Sequence, residues 1–248
     1  RGPTRMSDNF FDIAAARFPA DADSSFIELE TGRRYSYRDL MEISGRYARL
    51  LAELGVAKGD RVAVQVEKSP EAVFLYLACL RAGAAYLPLN TAYTKAEVGY
   101  FLGDAEPKVF VCTPGNEAAL ADTAKGAGVG TLLTLGTGGD GSLPERAAGL
   151  DPEFDTVACE PGDLAAILYT SGTTGRSKGA MLSHGNLAAN AAALHEIWGF
   201  TPDDVLLHAL PIFHVHGLFV ALHCAFLSGA PMVWLPKFDD ARVLAGLA

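Results

Sequence analysis

The sequence predicts an α/β fold made of mostly parallel sheets flanked by helices. Three observations carry this prediction. Short apolar runs recur at 61–66, 84–89, 108–112 and 131–135. Segments with helix-start chemistry separate them, such as Ser69-Pro70-Glu71 and Thr94 three residues before Glu97. The runs are also too uniformly apolar for an antiparallel sheet with one wet face. Strands alternating with helices imply parallel pairing through right-handed crossovers.

In chain order, Phe10, Phe11, Ile13 and Phe18 have helical spacing, and Pro19 stops the run. Residues 26–30 and 33–37 read as a hairpin around Thr31-Gly32. Ser36 caps a helix whose buried stripe is Leu40, Ile43, Tyr47, Leu50, Leu51 and Leu54, with Gly55 ending it. The strand–helix alternation then runs from Asp60 to Leu135, with helices expected from Ser69 to Gly83, from Thr94 to Gly103 and over 116–127. The Gly-rich stretch 136–143 breaks the rhythm. From there to Asp163 the residues read as loop with a short helix near Glu145. Leu164 to Tyr169 reads as a buried strand, 170–179 as a loop, and Ser183 or Asn186 as the start of a helix. A helix over 184–198, a strand over 204–209, a helix over 216–227, a strand over 231–235 and the start of another helix complete the chain. The expected division is a terminus at 1–7, a first α/β part at 8–160 and a second part at 161–248.

Composition narrows the function. Of 248 residues, half are hydrophobic, enough for a large core. The net charge of −9 argues against nonspecific nucleic-acid binding, so attraction for an anionic ligand must be local. No apolar run approaches the roughly 18 residues of a membrane span, and no secretory pattern opens the chain. The four cysteines are widely spaced without a CxxC, and Cys79, Cys112 and Cys224 sit in apolar runs as small hydrophobes. A reducing, cytoplasmic setting fits. Nothing in the sequence sets the oligomeric state.

The densest chemistry lies in 169–179, YTSGTTGRSKG. Gly172, Gly175 and Gly179 permit close backbone approach to a ligand. Ser171, Thr173 and Thr174 add hydroxyls, and Lys178 adds a compact charge suited to phosphate. A strand, a small-residue loop and a helix together make a phosphate-binding arrangement. Gly179 follows Lys178 where a Walker A loop needs Ser or Thr, so a kinase-type loop does not fit. His214 and His216 form a second constellation, bracketed by Phe213 and Leu218. Spacing of two would put both rings on one side of an extended chain, as a metal pair requires, but no third ligand of matching spacing is evident. A structural role at a strand–helix junction competes with that reading. His184 and Asn186 read as cap residues, and Lys68, Arg81 and Lys108 as solvated or locally paired charges.

Four segments resemble the adenylate-forming superfamily of acyl-CoA synthetases, peptide-synthetase adenylation domains and luciferases. They are YTSGTTGRSKGAMLSHGNL at 169–187, YSYRDL at 35–40, LRAGAAYLPLN at 80–90 and PIFHVHGL at 211–218. The text over 67–94 and 203–221 most resembles malonyl-CoA synthetases. The resemblance implies the N-terminal portion of that fold, with flavodoxin-like subdomains, truncated before the small C-terminal domain. It implies a ligase using ATP and Mg²⁺, in which a carboxylate attacks the α-phosphate and the thiol of coenzyme A displaces AMP. Malonate is the expected acid; another short-chain, aryl or amino acid, or a nucleotide-binding module without catalysis, are the alternatives. The resemblance places Thr170, Ser171, Gly172, Thr173, Thr174, Gly175 and Lys178 on the ATP phosphates. It places His214, Val215 and His216 on the acyl pocket. The family's Tyr-Gly-x-Thr-Glu segment, ribose-binding Asp and catalytic C-terminal Lys do not occur in these 248 residues. The expectation is therefore that they form no thioester alone, and no metal ligand or certain catalytic residue is assigned to them.

Overall fold

The computed structural model describes residues 7–170 and 177–247. Helix α1 (Phe10–Ala15) precedes strands β1 (Ser25–Leu29) and β2 (Arg34–Ser36) and helix α2 (Tyr37–Glu53). The alternating region follows: β3 (Arg61–Gln65), α3 (Pro70–Arg81), β4 (Ala85–Pro88), α4 (Lys95–Ala105), β5 (Val109–Cys112), α5 (Glu117–Gly126) and β6 (Thr131–Thr134). A short helix α6 (Ser142–Ala147) leads to β7 (Leu164–Thr170), β8 (Lys178–Ser183) and α7 (His184–Trp198). The chain continues through β9 (Leu206–His208), a π-helical turn (His216–Ala221), α8 (Leu222–Ser228), β10 (Met232–Trp234) and α9 (Asp240–Gly246).

Among the described residues the strands form two mixed sheets. One has the order β2-β1-β10-β9, the other β6-β5-β3-β4-β7-β8. Every pairing is parallel except β1–β2 and β7–β8. The parts 8–160 and 161–248 interleave, each supplying strands to both sheets.

Helix α3 is buried at every position and packs against both sheets. Its Phe74 ring meets Tyr35 of β2 at 5.4 Å, and its Tyr76 ring meets Tyr86 of β4 at 5.1 Å. A helix apolar all round has no wet face, and this one is the core between the layers. Ser69 caps it by accepting from the Ala72 amide, with Pro70 in the first turn where a missing N–H costs nothing. The expected caps of α2 and α4 are reciprocal boxes, Ser36 with Asp39 and Thr94 with Glu97.

Three expectations are corrected. The stretch 170–179 is not followed directly by a helix: residues 178–183 form β8, antiparallel to β7, ahead of the helix that starts at His184 as expected. β8 is an exposed edge strand, with Met181 69% exposed, so it lacks the apolar signature of a buried strand. Arg81 is not a solvated charge. It is buried, and its guanidinium donates to the Met41 carbonyl at 2.7 Å, Ser44 Oγ at 2.9 Å and the Phe154 carbonyl at 2.8 Å. Burial pulls it down to about 10. It staples the excursion after α6 onto α2 and α3. His184 is not a cap. Ser183 caps α7 with Asn186 in a box, while the buried His184 ring accepts the Phe10 amide proton at Nδ1, 3.0 Å, tying α7 to α1.

Candidate active site

The phosphate-type loop is carried by a hairpin. Thr170 ends β7, Lys178 begins β8, and the two are register partners. Both side chains are exposed and lie on the same sheet face. Ser171, Gly172, Thr173, Thr174 and Gly175 lie outside the described residues. The hairpin base is fixed from α4. Tyr100 Oη donates to the Ser177 carbonyl at 2.9 Å, and Tyr169 Oη donates to Asp104 at 2.6 Å. Gly179 is opposite Tyr169, and a Cβ there would lie 3.0 Å from Ile167 and 3.4 Å from the Tyr169 ring. β8 separates the N-terminus of α7 from the loop in the chain. Lys178 stands beside the loop as an exposed lysine.

The residues expected on the acyl side fall in the turn after β9. His214, Val215 and His216 are exposed at its rim, while Gly217, Leu218 and Phe219 are buried beneath. The His pair does not lie on an extended chain. Val215 is helical, and the His214 carbonyl already accepts the Leu218 amide proton at 3.0 Å. The rings stack at 5.2 Å and 13°, with the His216 amide reaching His214 Nδ1 at 3.4 Å. Helical winding therefore brings them face to face, where an extended chain would space them along one side.

A buried histidine holds this turn from below. His208 Nε2–H donates to the Gly217 carbonyl at 2.9 Å, and its ring stacks on Trp234 at 4.6 Å. Burial pushes His208 down to about 4, so it is neutral at pH 7. Gly217 is required by packing, since a Cβ would sit 2.0 Å from the Pro211 carbonyl oxygen. Helix α7 joins the two regions. It leaves the hairpin at Ser183, packs on the π-helical turn, and Asn190 Nδ2 donates to the Phe219 carbonyl at 3.3 Å.

Lys68 is a cavity-lining residue that the sequence reading passed over. Instead of being solvated, its Nζ donates to the carbonyls of His208 at 2.8 Å and Leu235 at 2.6 Å, and sits 4.3 Å from the Trp234 ring centroid. Burial lowers it to about 7. It lines a cavity of about 290 Å³ with Thr91, Ile212, Phe213, Lys237 and Phe238, just outside the carboxyl ends of β3 and β10. Open α/β folds bind ligands at such crevices. No local pattern could have flagged Lys68, because its partners are 140 and 167 residues away.

The family model described as AMP-binding enzyme matches residues 11–247. The chain belongs to this adenylate-forming family. MatB from Rhodopseudomonas palustris superposes with a TM-score of 0.93 in its apo form and 0.92 with ATP bound. It is 51% identical, over 97% of this chain and 47% of that one. A mitochondrial malonate–CoA ligase of Bos taurus is 33% identical over 92% of the chain and 39% of its own length. A long-chain-fatty-acid–CoA ligase of Mycobacterium tuberculosis is 34% identical over 88% of the chain and 43% of its own. The chain thus spans less than half the length of each of these relatives. Among the described residues, no group of three or more His, Cys, Asp or Glu side chains converges on one point. The described residues therefore hold no ready-made side-chain cage for a divalent cation. None of the described helices is long and apolar enough to cross a membrane. All four cysteines are free and buried.

Proposed function

We propose that the chain supplies the phosphate-loop and acyl-side walls of an acid–thiol ligase that joins malonate to coenzyme A through malonyl-adenylate. The acid's carboxylate oxygen attacks the α-phosphorus of ATP, and pyrophosphate leaves. The coenzyme A thiol then attacks the acyl carbon and AMP leaves. A carboxylate and a triphosphate repel each other, so the first step needs fixed positive charge and oriented donors on the departing phosphates. Lys178 and Thr170 flank the loop where those donors are needed, and Ser171, Gly172, Thr173, Thr174 and Gly175 supply the rest. Similarity to MatB, a protein with an ATP-bound structure, supports the nucleotide part of this reading.

The exposed, stacked His214–His216 pair carries the choice of acid. Two imidazoles at the rim, with Val215 between them, favour a small polar acid over a long alkyl chain. The bovine malonate–CoA ligase supports the same choice, while the mycobacterial long-chain ligase supplies the competing one. Calorimetry with ATP, AMP and pyrophosphate tests the nucleotide wall; binding of none of them would refute it. Pyrophosphate exchange by the enzyme containing this segment, across malonate, short fatty, aryl and amino acids, tests the acid. Malonate should give the fastest exchange, and a faster alkyl or aryl acid would overturn the choice. The 248 residues by themselves should form no malonyl-CoA; detecting it would refute that part.

A further inference from the structure

We propose that Lys68 is a positioning residue for the crevice wall that carries His214 and His216. The functional weight of this proposal rests on the reading of that wall as the acyl side.

Lys68 follows β3 in the six-stranded sheet, yet both of its hydrogen bonds go to the other sheet. The acceptors are the carbonyls at the carboxyl ends of two neighbouring parallel strands, His208 of β9 and Leu235 just past β10. An ammonium has three N–H groups. Two are taken by these carbonyls, and the charge lies over the Trp234 ring. Among the described residues no carboxylate pairs with it. A half-buried cation with carbonyl partners is costly, and here it fixes the separation of the two sheet edges.

The fixed edge is connected to the candidate site through His208, whose carbonyl also accepts the Leu235 amide proton at 3.1 Å. Lys68 holds the backbone of His208, the His208 ring holds the Gly217 carbonyl, and Gly217 closes against Pro211. Between Pro211 and Gly217 lie His214 and His216. Lys68 and Pro236 also form the partition between the 290 Å³ cavity and a second cavity of about 260 Å³ lined by Glu30, Thr31 and Thr137. Truncating Lys68 removes its half of that partition together with the two bonds.

The clamp is sensitive to protonation. Neutral His208 faces Lys68 from β9, Glu67 and Lys237 line the first cavity, and Glu30, bound to Arg242 at 3.0 Å, lines the second. With burial bringing Lys68 to about 7, its charge is lost as pH rises through neutrality. The neutral amine keeps two N–H bonds but loses the charge assistance and the attraction to the indole.

The test uses the whole 248-residue chain. Trp198 and Trp234 are its two tryptophans, so Trp198→Phe isolates Trp234 fluorescence. That signal should titrate near pH 7 and lose the transition in Lys68→Met. Lys68→Arg keeps the charge and the donors but does not titrate, so it should fold and also lose the transition. An unchanged transition in Lys68→Arg overturns the clamp, even if Lys68→Met does not fold. Imidazole NMR gives the positional readout. The His214 and His216 resonances should move in Lys68→Met and stay near their wild-type positions in Lys68→Arg. Unmoved resonances in a folded Lys68→Met overturn the positioning role. Malonate titrated into the same samples should bind about tenfold or more weakly in Lys68→Met, as a misplaced wall predicts. If malonate and other acids move neither histidine in the wild type, the acyl-side reading fails, while the fluorescence and NMR comparisons still decide the clamp.

Discussion

Acid should unfold this protein through three buried histidines. His184, His208 and His223 are pushed down from 6.5 to about 4, 4 and 3, chiefly because burial penalises the charged ring. Each ring is held in a neutral hydrogen bond: His184 with the Phe10 amide, His208 with the Gly217 carbonyl, and His223 with the Tyr76 hydroxyl at 2.8 Å. Their folded values lie below the unfolded value, so as pH falls the unfolded chain takes up protons first. The stability they contribute is complete above about pH 6.5 and is lost as pH drops toward 3–4. Between pH 8 and pH 5 each histidine accounts for a loss of about 2 kcal/mol, or about 6 kcal/mol for the three. That loss is comparable with the whole stability of many domains, about 5–15 kcal/mol. Near pH 5 unfolding should take up nearly three protons, a slope of about 3.5 kcal/mol per pH unit. Urea unfolding followed by circular dichroism from pH 5 to 8 measures this slope. His184→Asn keeps an acceptor for the Phe10 amide without a titrating ring, and should lower the uptake by about one proton. A stability that is flat over this range, or an uptake unchanged in His184→Asn, would refute the account.

Other substitutions probe the staples and the candidate site. Arg81→Met leaves two carbonyls and the Ser44 hydroxyl without their donor and should cost about 3 kcal/mol in urea unfolding. Arg81→Lys should cost nearly as much, because an ammonium cannot span the fork, and a neutral outcome for either would remove the staple role. Gly217→Ala forces a Cβ against the Pro211 carbonyl and should destabilise by about 2 kcal/mol or more. Its imidazole NMR spectrum should show the His214–His216 pair displaced; wild-type spectra would contradict the turn described. Lys178→Ala is exposed and should leave stability within about 0.5 kcal/mol. It should weaken ATP binding about tenfold by calorimetry, and unchanged affinity would detach Lys178 from the phosphate site.

Legibility of the fold followed the range of the forces involved. The caps of α2 and α4, the apolar strands β3 to β6 and the break at 136–143 depend on neighbours a few residues away, and the sequence exposes them directly. β8 was not legible because an edge strand needs no apolar stripe; it is made by its ladder with β7. The His214–His216 pair was visible as a spacing, but its stacking was not, because the helical state of Val215 depends on the packing of the following π-helical turn.

By itself, the sequence determined the alternation of strands and helices, the local caps, and the chemistry of the Gly-, Ser- and Thr-rich loop with its lysine. Each of these is written in residue types and short spacings. Only the tertiary structure decided that two sheets share strands from both parts of the chain, that Arg81 and Lys68 are internal clamps, and that three histidines are locked neutral. A charged residue in a polar stretch looks the same whether it meets water or distant carbonyls. Burial and partner geometry distinguish the two cases, and both are created by contacts between residues far apart in the chain.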